Sequence, residues 1–420
     1  MEANPAVALF LALGLIIAAS RVAGAVARRL GQPRVLGELV IGIILGPTLL
    51  DMLHWDIFHG AHLEEPVFEF AELGVLLLMF LVGLEVNLKE LVKVGRVAAF
   101  AGFAGALLPA VLTLPLLLLF NYGWAPALFA GVTLAATSVS ISAQVLLELG
   151  FLRTKEGNAL LATALIDDIL AILLVSLATA LVASGGEANA SELIIIIIRM
   201  SVYLVFAFLL AWYGIPRFID WISDQPALAQ SAGIAASALV IMLLFAWSAE
   251  ELGGVATITG SFIAGVGFSR AREHLRHVIE EAASAIAYAF LVPIFFVNVG
   301  LQADLSTFPL SALPLALLLL LIGIVSKIGG CGAGALLGGF NRQESLRLGV
   351  CMISRGEVGL IIASLGLSTH VFRPNDPLFA SLFFVILLTT VVTPILVRMV
   401  FPRREETAPT DKVAVGGASS

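Results

Sequence analysis

Thirteen apolar stretches, most of them about as long as a membrane-crossing helix, follow one another through almost the whole chain. They fall roughly at 5–29, 34–49, 67–87, 97–120, 125–147, 157–182, 191–213, 228–249, 254–270, 280–300, 309–338, 345–367 and 378–400, the second and ninth being short. A bilayer offers backbone amides no water, so such a pattern calls for helices that satisfy their own backbone. The expected fold class is an all-α polytopic membrane protein with 13 transmembrane helices. Composition agrees: 60% of the residues are hydrophobic and 13% charged, about half the charge of a soluble domain. No connecting loop is long enough to fold alone, and the polar tail 401–420 reads as disordered. Neither a soluble catalytic domain nor a basic surface for nucleic acid is expected. Cys331 and Cys351 lie in or beside apolar stretches and suggest neither a disulfide nor a zinc site.

Basic residues set the orientation. Nineteen of the 23 Lys and Arg lie on odd-numbered loops, the tail or the low end of the first stretch, while the even-numbered loops hold only Arg373. The N-terminus is therefore expected outside, the C-terminus in the cytoplasm and the chain in the plasma (inner) membrane. The start "MEANP" has no basic run, so the first helix is expected to be kept. Arg199, Lys327 and Arg355 fall inside apolar stretches, where a charge costs a few kcal/mol and needs a partner or an aqueous cavity.

"VGLEVNL" (82–88) and "VGLQADL" (299–305) lie 217 residues apart, an offset that also carries the fifth stretch onto the twelfth and the sixth onto the thirteenth. Seven helices separate each pair, so matched helices run in opposite directions, the inverted repeat common among secondary transporters. One repeat covers about 5–182, the other about 228–400, with a linker helix at 191–213. In such folds two interrupted helices cross near the midplane. "AATSVSISAQ" (135–144) and "CMISRGEVGL" (351–360) place polar residues in mid-stretch, and Thr137 shifted by the offset lands on Ser354. The competing reading has these hydroxyls bonding back to their own helices.

"LLATALIDDILAILLV" (160–175) sets Asp167 and Asp168 side by side halfway along the sixth stretch. Adjacent helical residues point about 100° apart, so one partner cannot serve both. Ionising both in a low dielectric is costly; one can therefore exchange a proton, and its ionised oxygens suit a small hard cation. A group that binds a proton or a cation, never both, is the minimum chemistry of an antiporter. Lys327, deep in "GIVSKIGGCGAG", is the natural counter-charge, and the glycines after it permit close helix approach. Their spacing is not that of a nucleotide-binding loop. Arg355 and Glu357 sit at the second interruption, where they would compensate half-helix ends. Glu85 is expected to cap a helix or line an entrance, and Arg199 to snorkel toward a lipid headgroup. His54, His59 and His62 share an outer loop without regular ligand spacing.

"LGELVIGIILGP", "ATSVSISAQVL", "LIDDILAILL", "SKIGG" and "ISRGEVGLI", in that order, together resemble the monovalent cation:proton antiporter-2 family, and within it the NapA-type bacterial sodium/proton antiporters. The resemblance covers about residues 5–400. It implies the NhaA/NapA-like fold and a homodimer in lipid. A dimerisation part (helices 1, 2, 8 and 9) would bear a core (helices 3–6 and 10–13) that moves like an elevator. By the same resemblance Asp168 matches the essential Na⁺- and proton-binding carboxylate, Asp167 the neighbour paired to a lysine, Lys327 that lysine, and Thr137 and Ser138 the first crossover. No cofactor and no nucleotide-binding domain is expected; the ligands are Na⁺ or Li⁺ and protons. Potassium-efflux relatives of the KefC type carry Gln where Asp167 stands, which favours sodium. The expectation is electrogenic Na⁺(Li⁺)/H⁺ exchange, with K⁺/H⁺ exchange at the same aspartates as the alternative. An intramembrane aspartic protease would need carboxylates on two facing helices, which adjacent residues cannot supply. A channel would announce itself by single-channel steps.

Overall fold

The computed structural model describes residues 4–85, 93–183, 190–225, 232–302, 308–373 and 376–401, and among them it is helical with no strand. Only 82–85 and 299–302 of the two matched heptads are among the described residues. Ten of the helical spans are long and apolar enough to cross a membrane. The other expected segments are helical but short or interrupted.

The helices are α1 (Pro5–Arg29), α2 (Arg34–Leu45), α3 (Glu64–Glu85), α4 (Gly95–Leu119), α5 (Trp124–Ala135), α6 (Val139–Leu149) and α7 (Lys155–Ala183). Next come α8 (Ala190–Leu209, running through a π turn, Leu210–Gly214, into Ile215–Ser223), α9 (Gly233–Gly253), α10 (Thr257–Phe268) and α11 (Glu273–Leu301). The last are α12 (Leu313–Gly338), α13 (Arg342–Cys351), α14 (Gly356–Ser368) and α15 (Pro377–Val400). Local chemistry marks several ends. Asn4 caps α1 ahead of Pro5, Asp376 caps α15 ahead of Pro377, and Asn341 with Glu344 forms a capping box on α13.

Two groups of helices emerge from the packing. In the first, α3 lies along α10 and α11, α2 along α11 and α1, and α9 along α10. In the second, α4 packs on α12, α5 and α7, α13 and α15 lie against α12, and α14 lies against α5 and α15. The link between the groups is thin, chiefly α2 against α15 and α6, and α3 against α6. In this packing α3 and α11 lie with α1, α2, α9 and α10, whereas the expected division set the third and tenth helices with the core. Their glycines explain the placement. Added Cβ atoms at Gly83 of α3 and Gly265 of α10 would each strike the other helix's backbone, as would those at Gly42 of α2 and Gly300 of α11. Close backbone approach through small residues is how helices associate where lipid removes the hydrophobic drive between them. Exposed apolar surface is plain on α8, where Ile194, Ile195, Ile198, Val202, Val205 and Phe206 are all exposed.

Candidate functional site

Both interrupted stretches break where polar residues enter. Between α5 and α6 the chain is extended, with Ala136 at φ −60°, ψ 145° and Ser138 at φ −95°, ψ 115°. The second break, 352–355, separates α13 from α14. The two meet: Ser138 N donates to Ser354 O at 2.9 Å, and Ser142 Oγ donates to Cys351 O at 2.5 Å. Ser138 and Ser140 share a hydroxyl–hydroxyl bond of 3.0 Å. Gly356 opens α14 at φ +40°, and a Cβ there would collide with the Ser138 side chain. The residue that lets the second break turn therefore also lets the first approach it.

Four free carbonyls at a helix end carry partial negative charge. Arg355, fully buried, answers this at the end of α13. It donates to Ile353 O at 2.5 Å and Met352 O at 3.3 Å, and its other arm reaches Gly323 O of α12 at 2.7 Å. Glu357 lies in the first turn of α14 by its backbone; its side chain is outside the described residues.

One turn along α12 from Gly323, Lys327 Nζ donates to Asp167 Oδ1 of α7 at 2.8 Å. Neither side chain is more than 1% exposed. Burying two charges costs several kcal/mol per ion, which their mutual attraction offsets only at such short range. The neighbouring carboxylate points elsewhere. Asp168 is half-buried and lines a crevice of about 20 Å³ with Met79, Val139, Leu161, Thr259 and Phe262, its Oδ2 3.5 Å from Thr259 Oγ1. The two carboxylates thus divide: one faces a fixed cation within the second group, the other the seam between groups. Three buried side-chain oxygens in these segments, Thr137 Oγ1, Ser354 Oγ and Asp167 Oδ2, have no hydrogen-bond partner among the described residues. Unused acceptors with an ionisable carboxylate nearby in sequence suit a cation stripped of water.

Other expected residues fall as follows. Arg199 donates to Glu251 O at 2.6 Å and Leu252 O at 2.8 Å, occupying the carbonyl end of α9. Glu85 pairs with Arg153 at 3.2 Å, tying α3 to the α6–α7 turn. His54 lies 2.8 Å from Asp51 and 3.4 Å from Glu64. Its hydrogen bond to Asp51, helped by the charges of Asp51 and Glu64, raises its pKa above the ordinary value. No cluster of three metal-ligating side chains occurs among the described residues.

Sequence reasoning missed a polar chain at the face that carries the basic loops. Buried Glu38 of α2 accepts from Ser20 Oγ at 2.9 Å and Arg34 Nε at 2.7 Å, and Arg34 N donates to Glu148 of α6 at 2.7 Å. A cavity of about 360 Å³ opens beside it, lined by Arg28, Gln32, Arg34, Gln144, Glu148 and Arg398. A lone glutamate inside a 12-residue apolar helix was the available signal.

A family profile described as the transmembrane region of sodium/hydrogen exchangers matches residues 15–402. The chain is 34% identical to the Na(+)/H(+)-K(+) antiporter GerN of Bacillus cereus, over 94% of this chain and 97% of that one. It is 33% identical to a Na(+)/H(+) antiporter of Enterococcus hirae, over 92% and 96%. It is 32% identical to the high-affinity Na(+)/H(+) antiporter NhaS3 of Synechocystis, over 96% and 92%. Among solved structures, that of the sodium proton antiporter MjNhaP1 from Methanocaldococcus jannaschii at pH 8 is similar in fold, with a TM-score of 0.66 at 18% identity, covering 94% of this chain and 96% of that one. Crossed interrupted helices, a buried carboxylate–lysine pair and the extent of these likenesses lead to one conclusion: the chain belongs to the sodium/hydrogen exchanger family.

Proposed function

We propose that this antiporter exchanges Na⁺ or Li⁺ for protons at Asp168, with Asp167, Lys327 and the crossover residues Thr137 and Ser138 completing the site. The observation that carries the assignment is the split of the aspartate pair. Asp167 is held by Lys327 at 2.8 Å, while Asp168 opens on a crevice at the seam. A carboxylate already neutralised by a fixed ammonium is poorly placed to take a mobile ion. Its half-buried neighbour can take either a proton or a cation, and that competition couples the two flows.

The aspartate–aspartate–lysine set favours the NapA-type subfamily and a cycle that moves net charge. All thirteen apolar segments would cross the membrane, α2 and α10 as short spans and α13–α14 as a broken one. The face with the basic loops would be cytoplasmic. The first helix group would form a homodimer in the plasma membrane, and the second would travel past it, carrying Asp168 from one side to the other. The thin packing between the groups is what such an elevator movement needs. Arg355 and Glu357 would balance the crossover. No cofactor enters this scheme. A second reading, K⁺ in place of Na⁺, is kept alive by the printed activity of GerN, which includes potassium.

The test is flux in proteoliposomes loaded in turn with Li⁺, Na⁺ and K⁺. Asp168→Asn should abolish exchange with every cation while leaving a folded protein, since an amide neither ionises nor titrates. Because protons compete for the same oxygens, the apparent KM for Na⁺ in the unaltered protein should rise as pH falls, by up to about tenfold per pH unit where the carboxylate is mostly protonated. Sodium-driven proton flux at the normal rate in Asp168→Asn would refute the assignment.

A further inference from the structure

Thr259 stands in the first turn of α10, in the other helix group from Asp168. The 12 residues of α10 rise about 18 Å, well short of a hydrocarbon core of about 30 Å, so the helix alone cannot span it. A π turn at Ala249–Gly253 and the left-handed Gly254 (φ +65°) end α9 just before α10, and this short connection sets the first turn of α10 against the middle of α7. The remaining walls of the crevice are apolar: Met79, Val139, Leu161, Ala164, Leu165, Ile258 and Phe262. Among the described lining residues Thr259 brings in the one hydroxyl, and its side chain is buried.

A threonine in a helix ordinarily bonds its hydroxyl back to a carbonyl of the preceding turn, as Thr133, Thr179 and Thr393 do here. Thr259 does otherwise: its hydroxyl is directed at Asp168 Oδ2, at 3.5 Å. That is far longer than a strong hydroxyl–carboxylate bond, about 2.5–2.7 Å. The spacing suits another arrangement. Oxygens bind a cation of the size of Ca²⁺, which Na⁺ closely matches, at about 2.4 Å, and two such oxygens at right angles stand about 3.4 Å apart. A larger cation would spread them. The crevice, about 20 Å³, has room for one water-sized occupant.

We propose that Thr259 is a cation ligand supplied from the opposite helix group, so that coordination at Asp168 is completed across the seam rather than within one group. The proposal rests on Asp168 being the ion-binding carboxylate. It makes Thr259 a determinant of affinity and of preference for small cations, a role that neither the aspartate pair nor the crossover residues suggest.

Thr259→Val keeps shape and removes the oxygen; Thr259→Ser keeps the oxygen and removes a methyl. In proteoliposomes, Thr259→Val should raise the apparent KM for Na⁺ roughly tenfold, as for a lost contact to a charged group, with kcat nearly unchanged and less discrimination against K⁺. Thr259→Ser should restore both. In detergent, where ligand binding raises Tm with concentration, the valine variant should need about tenfold more Na⁺ for the same rise. Normal Na⁺ affinity in Thr259→Val overturns the proposal, and so does a loss that Thr259→Ser fails to recover, which marks packing. Asp168→Asn in the same melting assay separates the two levels. If it still responds to Na⁺, the assignment of Asp168 fails; if it does not and Thr259→Val behaves normally, only the ligand role of Thr259 fails.

Discussion

Lys327 and Asp167 hold each other in a site that neither could occupy alone. With both side chains at 0–1% exposure, removing the ammonium strands a buried carboxylate, at a cost of about 3–5 kcal/mol unless the carboxylate takes a proton. This gives Lys327 two possible duties, bracing the fold or releasing a proton when a cation draws Asp167 away. The release role is the stronger expectation. Two protons against one Na⁺ move one net charge, on which 100 mV acts with about 2.3 kcal/mol. Residual exchange by Lys327→Gln should therefore be electroneutral and indifferent to an imposed potential. Flux at 0 mV and at a valinomycin-imposed potential, in liposomes of matched protein content, measures this; a full voltage response in the variant would leave the lysine only its bracing role. Each of these charges is conspicuous in the sequence because it interrupts an apolar run. Thr259 is not, since a threonine in an apolar segment is ordinary and only its spatial neighbour makes it notable.

The broken helices are the elements on which the site depends, and their geometry turns on one backbone position. Gly356 combines φ +40° with a position where an added Cβ would strike the Ser138 side chain. Alanine there would meet both a disfavoured dihedral, about 1–2 kcal/mol, and a clash that pushes the two crossovers apart. Gly356→Ala should lower Tm by several degrees and reduce Na⁺ affinity together, whereas a defect of the site alone would spare Tm. Calorimetry with and without Na⁺ separates the two. The breaks were legible at this scale because clustered hydroxyls in mid-membrane have few uses besides lining a polar gap. The π turns in α8, α9 and α11 were not, since nothing in apolar sequence distinguishes one extra residue per turn.

For the whole molecule, helix grouping was the least legible property. Thirteen apolar segments look alike to a reader of composition, and the contacts that sort them are backbone approaches at single glycines. Gly83 and Gly265 are visible in the sequence, but their partnership across 182 positions is not. Hence the expected division set α3 and α11 apart from the helices they pack against here. The packing leaves two ties spanning the seam on the basic face, Glu85 with Arg153 and Glu148 with the Arg34 amide. Partly exposed ties of this kind contribute about 1 kcal/mol each. If the groups slide, both must open, so Glu85→Gln with Glu148→Gln should favour the opened arrangement on the order of tenfold. Hydrogen–deuterium exchange at the ends of α3 and α6 should rise accordingly while Tm changes little. Unchanged exchange would mean that the seam is held elsewhere.

Cys331 and Cys351 are the two cysteines of the chain, both in the second helix group and at most 1% exposed. Neither is available to alkylation while that group is intact. A thiol-reactive fluorophore added to the unaltered protein therefore stays dark until the packing around α12 and α13 gives way. The chain carries its own reporter of core integrity, and single cysteines introduced at the seam can be labelled against a silent background without first replacing the native pair.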